Sequence, residues 1–338
     1  KVCSAVIALG GYGRAELNPL SDIDIMFYCS DKNKDLAEKI AERVLYLLWD
    51  LNLDVGYSVR TASDCLSLIQ QDLTIRTALM DARFLVGDEA LYHEFGKLVA
   101  QPVLNRSSQA FLKSKYEEHR TRLAKYGSTV YMLEPNLKEG EGGLRDLHTA
   151  VWMARVKFKA KNLRDLLMKG VISEQELHEI EAAYDYLWRI RNELHFQVKR
   201  KTDQLQFAAQ EKIAAFFGYK GTKASLPVEL FMQDYYAQAT RTEHLASSLI
   251  FRAFKDKDPS AGLLGRLGRR SLGEDFFSYR GELKTARKNL FVERPEAMMQ
   301  AFLLAKQNDL VLSADVKGQI RDNLSLVNDS FRRNRQVL

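Results

Sequence analysis

The first 60 or so residues change hydrophobic period at each turn signal, and that succession leaves few folds open. Val2–Leu9 is short, apolar and stopped by Gly10-Gly11, which predicts a buried strand. Ile23–Tyr28 predicts a second, and the GGYGRAELNPLSD segment between them is polar and carries three glycines. Over Asp35–Leu51 the apolar residues Leu36, Ile40, Val44, Leu47, Leu48 and Leu51 fall three and four apart, the period of an amphipathic helix. Asp54–Arg60 then alternates Val55, Tyr57 and Val59, as a third strand does. Strand, loop, strand, helix, strand is a compact α/β unit.

Beyond it the pattern is helical. Ser63–Gln71, Leu73–Leu85, Glu89–Ala100, Gln109–Tyr126, Leu147–Lys159, Ser173–Arg200, Gln206–Phe217 and Val228–Phe254 are predicted helices. Ser173 with Glu176 forms a capping box, and Pro227 stands as a first-turn proline. Ser128–Asp146 breaks the series with a proline and three glycines. Lys255–Arg270 is a basic, glycine-bearing loop, followed by a possible hairpin over Phe276–Lys284 and closing helices at Pro295–Lys306 and Ala314–Phe331. The expected fold class is α+β, divided as a small sheet domain (1–104), a helical domain (105–254) and a C-terminal part (255–338).

Charge and cysteine usage narrow the function. A net charge of +6 suits an anionic partner such as a nucleotide or an acidic protein patch, but is too small to imply nucleic acid. No apolar run reaches the roughly 18 residues of a membrane span. Cys3, Cys29 and Cys65 form neither an even set nor a zinc spacing, so a reducing cytoplasm is the expected compartment. The chain opens on Lys1 without a leader pattern and is expected to be a piece of a longer protein.

Chemistry concentrates near the start. Gly10-Gly11-Tyr12-Gly13-Arg14 follows a strand, where glycines let backbone N–H groups approach an anion. In Ser21-Asp22-Ile23-Asp24-Ile25 the strand period puts both carboxylates on one face and both isoleucines on the other. Adjacent like charges repel unless neutralised, and a hard divalent cation shared with nucleotide phosphates does this. Two such ions serve an in-line nucleotidyl transfer. Asp54, opening the third strand, can face the same cleft as metal ligand or general base. The 128–146 break offers Lys138 and Arg145 to phosphates, or a plain connection in which Arg145 and Asp146 pair with each other. Arg189, Arg191 and His195 read as a helix face toward the cleft or solvent, and Tyr184, Trp188, Tyr235 and Tyr236 as core.

The GG-x(10)-D-x-D arrangement resembles the nucleotidyltransferase superfamily that includes DNA polymerase β. GGYGRAELNPLSDIDIM, with LEPNLKEGEGGLRDLHTAVWMAR (Leu133–Arg155) and YLWRIRNELHF (Tyr186–Phe196) followed by DQLQF, resembles the bacterial PII uridylyltransferase family. The resemblance implies a polymerase-β-like sheet domain followed by a large helical domain, and transfer of UMP from UTP to a tyrosine of the PII signalling protein with Mg²⁺ or Mn²⁺. It implies Asp22, Asp24 and Asp54 as metal-binding and catalytic acids. Gly10, Gly11, Gly13, Arg14, Ser21, Lys138 and Arg145 are expected around the nucleotide. Protein adenylylation of the glutamine synthetase type, or a binding module with a dead site, are the alternatives. Family members also carry a His-Asp phosphohydrolase domain and sensing domains. No His-Asp dipeptide occurs here, so uridylyl removal and glutamine sensing are not expected of this stretch.

Overall fold

The computed structural model describes residues 4–104, 108–254, 270–279, 281–287 and 289–334, in two compact units, 1–254 and 255–338. In the first, β1 (Ser4–Ala8) leads into a single helical turn, α1 (Gly10–Gly13), and then β2 (Ile23–Cys29), α2 (Lys34–Asp50) and β3 (Val55–Arg60). α3 (Ala62–Gln71) and α4 (Leu73–Met80) precede β4 (Arg83–Gly87). The sheet order is β3-β2-β1-β4, with β1 antiparallel to both neighbours and β2 parallel to β3.

β4 corrects the sequence reading, which ran one helix through Leu73–Leu85. The helix stops at Met80, and Arg83–Gly87 pairs antiparallel with β1. The residues of RFLVG are only half-buried or exposed, as at a sheet edge, and tertiary pairing rather than a clean local alternation makes them a strand. The predicted elements at 4–8, 23–29, 34–50 and 55–60 fall within a residue or two of their expected places, the start of the first lying outside the described residues.

The helical part continues with α5 (Glu89–Leu104), α6 (Ser108–Tyr126), α7 (Leu144–Phe158), α8 (Leu163–Met168), α9 (Glu174–Val198), α10 (Phe207–Phe216) and α11 (Pro227–Phe254). The Ser173/Glu176 capping box at the start of α9 is formed in both directions. α8 was not expected; it is a turn and a half capped by the Asn162 side chain.

The sheet is covered on both faces. Ile25 and Phe27 pack on Ala41 and Leu45 of α2. Met26 and Tyr28, one residue out of phase, join a larger core with Ile69, Leu79, Phe95, Phe111, Trp152, Met153 and Leu249. That core runs without a break from the strands into α5, α6, α7 and α11. Asp22 and Asp24 belong to the Met26–Tyr28 row, at the strand end where this core stops.

In the second unit, β5 (Arg270–Ser271), β6 (Phe276–Tyr279), β7 (Glu282–Thr285) and β8 (Val311–Leu312) form a sheet in that order. The hairpin expected over 276–284 is present as β6 and β7. The sheet packs with α12 (Leu290–Glu293), α13 (Ala297–Gln307) and α14 (Ala314–Asp322) around Phe276, Leu283, Phe291, Met298 and Val316. The single helix expected over Ala314–Phe331 is instead broken after Asp322, and α15 (Asp329–Arg333) restarts on an Asn328 cap. The 255–269 part of the predicted loop, with Arg266 and Arg269, and Cys3 and Arg280 lie outside the described residues.

Two glycines give opposite expectations. A Cβ on Gly13 would sit 2.1 Å from the Asp81 carbonyl oxygen and 2.9 Å from that of Ala8, both backbone atoms. Gly13→Ala should therefore cost about 3 kcal/mol or prevent folding. Gly96, inside α5, meets nothing within 4 Å, and Gly96→Ala should stabilise by about 0.5–1 kcal/mol. Denaturant midpoints of the two variants check both signs.

Candidate active site

The turn after β1 is fixed from behind. The Asp81 carboxylate, almost fully buried, accepts from Arg14 at 2.9 Å, from the Trp152 indole at 3.0 Å and from Arg155 at 2.8 Å. Arg14 also bonds Glu16 at 2.7 Å, and Glu16 takes a hydrogen bond from His148 Nε2 at 2.9 Å. Arg83 of β4 donates to the carbonyls of Gly13 and Tyr12 at the end of α1. The GGYGR string is thus bolted to the α4–β4 junction and to α7. Burial works against the Arg14 charge, but Asp81 and Glu16 outweigh it and raise its pKa.

In front of this wall lies a cleft of about 230 Å³. Gly10, Gly11, Arg14, Ser21, Asp22, Asp24, Lys138 and Arg145, eight of the ten residues singled out from the sequence, line it. Gly13 is buried against backbone and does not. Asp54 stands exposed beside it: its carbonyl accepts the Ile23 amide at 2.8 Å, and its carboxyl interacts with Asp22.

The aspartates are held in unlike states. Asp22 is bonded to Lys201, and that hydrogen bond is the main cause lowering its pKa. Asp24 is raised, first by burial and then by the Asp22 charge. A Cβ on Gly10 would come to 3.0 Å from Asp24 Oδ2, and one on Gly56, its partner on β3, to 2.7 Å from Oδ1. Glycine on both sides therefore leaves the carboxylate uncrowded. Gly10 also takes a positive φ of 54°, which a side chain would strain.

The residues present fit a divalent cation bound with a nucleotide. Among the described residues no three His, Cys, Asp or Glu side chains are grouped to hold a metal alone. Mg²⁺ does not require such a group, because it takes one or two carboxylates and completes its shell with phosphate oxygens and water. The Ser21 hydroxyl, buried in the cleft wall, has no hydrogen-bond partner among the described residues and is free for an incoming oxygen.

The cations come from the helical part. Lys138 stands on the 127–143 connection, and burial, followed by the Arg145 charge, lowers its pKa. Arg145 bonds Glu139 at 3.3 Å, while Asp146 takes Arg122 and the Gly142 amide, so the two neighbours do not pair with each other. Arg191 and His195, both buried, are neither solvent-facing nor free: Arg191 binds Asp203 at 2.6 Å and Asn18, and His195 binds the Pro19 carbonyl. They hold the loop that leads into Asp22. Trp188, expected in the core, instead lines the cleft and donates to the Glu16 carbonyl at 3.3 Å.

Sequence reasoning missed Lys201, Asn18, Glu16, Asp81, His148 and Trp152. Lys201 stands two residues before the DQLQF string already marked, and that proximity was its one available signal.

The fold is α+β, and its cleft brings a glycine turn and two aspartates together with the cations of the helical part. Residues 110–250 match the model described as GlnD PII-uridylyltransferase, and residues 276–337 the model described as uridylyltransferase GlnD third domain. The bifunctional uridylyltransferase/uridylyl-removing enzyme of Cereibacter sphaeroides is 35% identical over 337 residues, covering 98% of this chain and 36% of that protein. Those of Rhodopseudomonas palustris and Azotobacter vinelandii are 34% and 37% identical over 339 and 331 residues, each covering 97% of this chain and 36% of the relative. The chain belongs to this uridylyltransferase family and spans about a third of the length of the relatives it matches. Among the described residues no helix is long and apolar enough to cross a membrane, and Cys29 and Cys65 are free, buried thiols.

His148 makes the wall sensitive to acid. Burial lowers its pKa to about 4 from an ordinary 6.5, with the Arg14 charge adding to the effect. The unfolded chain therefore binds more protons than the folded one between these values. Stability is full above pH 6.5 and falls as the pH drops toward 4, by up to about 3 kcal/mol from this group. His119, also lowered by burial, adds in the same sense. Urea unfolding at pH 7.5 and pH 5 should show the loss, and His148→Gln should reduce the difference between the two.

Proposed function

We propose that this chain carries out nucleotidyl transfer, moving UMP from UTP to a tyrosine hydroxyl of a PII-type signalling protein. The observation that carries the reading is the position of Asp22 and Asp24, side by side on one strand face at a cleft that Gly10, Gly11, Ser21 and several cations also line. The relatives are uridylyltransferase/uridylyl-removing enzymes, which supports UTP as the nucleotide.

Asp22 and Asp24, with Asp54 at the rim, would hold Mg²⁺ or Mn²⁺, two ions in the full arrangement. When bound, the metal supplies Lewis acidity at the α-phosphate and charge for the leaving oxygens. The first-turn amides at Gly10 and Gly11, which a helix start leaves without intrahelical partners, together with the Ser21 hydroxyl, receive the triphosphate. Lys138 and Arg145 oppose its charge. The tyrosine oxygen attacks the α-phosphorus, the bond to the β-phosphate oxygen breaks, and pyrophosphate leaves. The hydroxyl proton passes to a carboxylate, with Asp54 the exposed candidate.

Incubating the chain with a PII protein, Mg²⁺ and α-labelled UTP, ATP, CTP or GTP tests this. Label should reach PII from UTP; transfer from ATP alone would make the chain an adenylyltransferase. Asp22→Asn or Asp24→Asn should reduce transfer at least about 100-fold. Asp24→Asn should leave stability unchanged or higher, because it removes a repulsion and no ion pair. Substantial Mg²⁺-dependent transfer by Asp24→Asn would overturn the assignment.

A further inference from the structure

Lys201 reaches Asp22 from an anchored loop. α9 ends at Val198, and Lys199 turns the chain with a φ of 53°. Asp203, two residues beyond Lys201, is gripped by Arg191, and its carbonyl accepts the Leu137 amide at 2.8 Å. The Gln204 side chain ties the same loop to the Glu134 carbonyl. The loops bearing Lys138 and Lys201 are therefore bonded together, and the ammonium is delivered to a carboxylate 179 positions away in sequence.

An exposed ion pair is ordinarily worth little, and this one is half exposed, at 45% for Lys201 and 40% for Asp22. Its setting is unusual. Asp22 shares its strand face with Asp24, whose ionisation its charge opposes, and its own carboxyl interacts with that of Asp54. Among the described residues Lys201 is the only cation in direct contact with any of them. It occupies the carboxylate that a metal ion would need.

We propose that Lys201 is a resident counterion that a divalent cation displaces from Asp22, after which the freed ammonium binds a phosphate of the nucleotide, so that metal and nucleotide load together. This rests on the reading of the cleft as a nucleotidyl-transfer site. A metal ion arriving alone must expel Lys201 without giving it a new partner. With a triphosphate present the ammonium gains one, and its four-carbon stem can turn without movement of the anchored loop. Each ligand then strengthens the other by the same factor.

The test measures binding, not turnover. Free Mn²⁺ is followed by electron paramagnetic resonance with wild-type chain, Lys201→Met and Lys201→Arg, without nucleotide and with UTP. Lys201→Met should bind Mn²⁺ alone about fivefold or more tighter, and UTP at saturating Mn²⁺ about tenfold weaker. Lys201→Arg should keep the weak binding of metal alone. Unchanged or weaker binding of Mn²⁺ alone by Lys201→Met would overturn the counterion role, as would unchanged UTP affinity. A wild-type chain that binds neither Mn²⁺ nor UTP would instead overturn the reading of the cleft itself.

Discussion

The buried Asp81 carboxylate is the interaction on which the rest of the cleft depends. A charge withdrawn from water must be paired and fully hydrogen-bonded, and removing a partner of such a pair costs about 3–5 kcal/mol. Asp81 meets the demand with Arg14, Trp152 and Arg155, which come from the turn after α1 and from α7. A single carboxylate at the α4–β4 junction thus joins the glycine turn of the sheet to the first helix after the 127–143 connection. Gly13 has no room for a side chain because that junction presses on it. The Arg14–Glu16–His148 chain extends the same wall, and its Glu16, lowered to about 2 by His148 and Arg14 against the opposing effect of burial, stays ionised.

On this wall the sheet and the helices divide the electrostatics. Strand ends supply the anions, Asp22 and Asp24 with Asp54 beside them; the helical part supplies the cations, Lys138 and Lys201 from loops and Arg145 from the first turn of α7. Neither set is well placed without the other. The aspartates alone repel, and burial opposes the charge on Lys138. A triphosphate with a divalent cation complements both sets at once. The reading of this chain as a nucleotidyltransferase therefore rests on the arrangement of charge as well as on the glycine and aspartate string.

The sequence showed β2, α2 and β3 through their periods and apolar runs, but not which side chains are buried. β2 is covered on both faces, α2 buries Ala37, Ala41 and Leu45 while Leu36, Leu47 and Leu51 of the predicted stripe are exposed, and Tyr57 of β3 is exposed. The strand period also showed the Asp22–Asp24 pair, since their row continues into Met26 and Tyr28 in the core. It did not show β4, whose RFLVG residues are held by pairing with β1 and carry little signal of their own. The break in Ala314–Phe331 was hidden for a related reason: Asn323 and Asn328 end and restart helices without disturbing the apolar spacing. Lys201 and Asp81 were beyond local reading, because a charge brought from 179 or 67 positions away leaves no mark on its neighbours.

The central claim is that Asp22, Asp24 and the Gly10-Gly11 turn together form one metal–nucleotide site. A crystal structure of the chain with Mg²⁺ and a non-hydrolysable UTP analogue tests it most directly. The account requires a cation on Asp22 and Asp24, with the triphosphate against the Gly10-Gly11 turn. Nucleotide phosphates bound away from this turn, or a cation coordinated by neither aspartate, would contradict it.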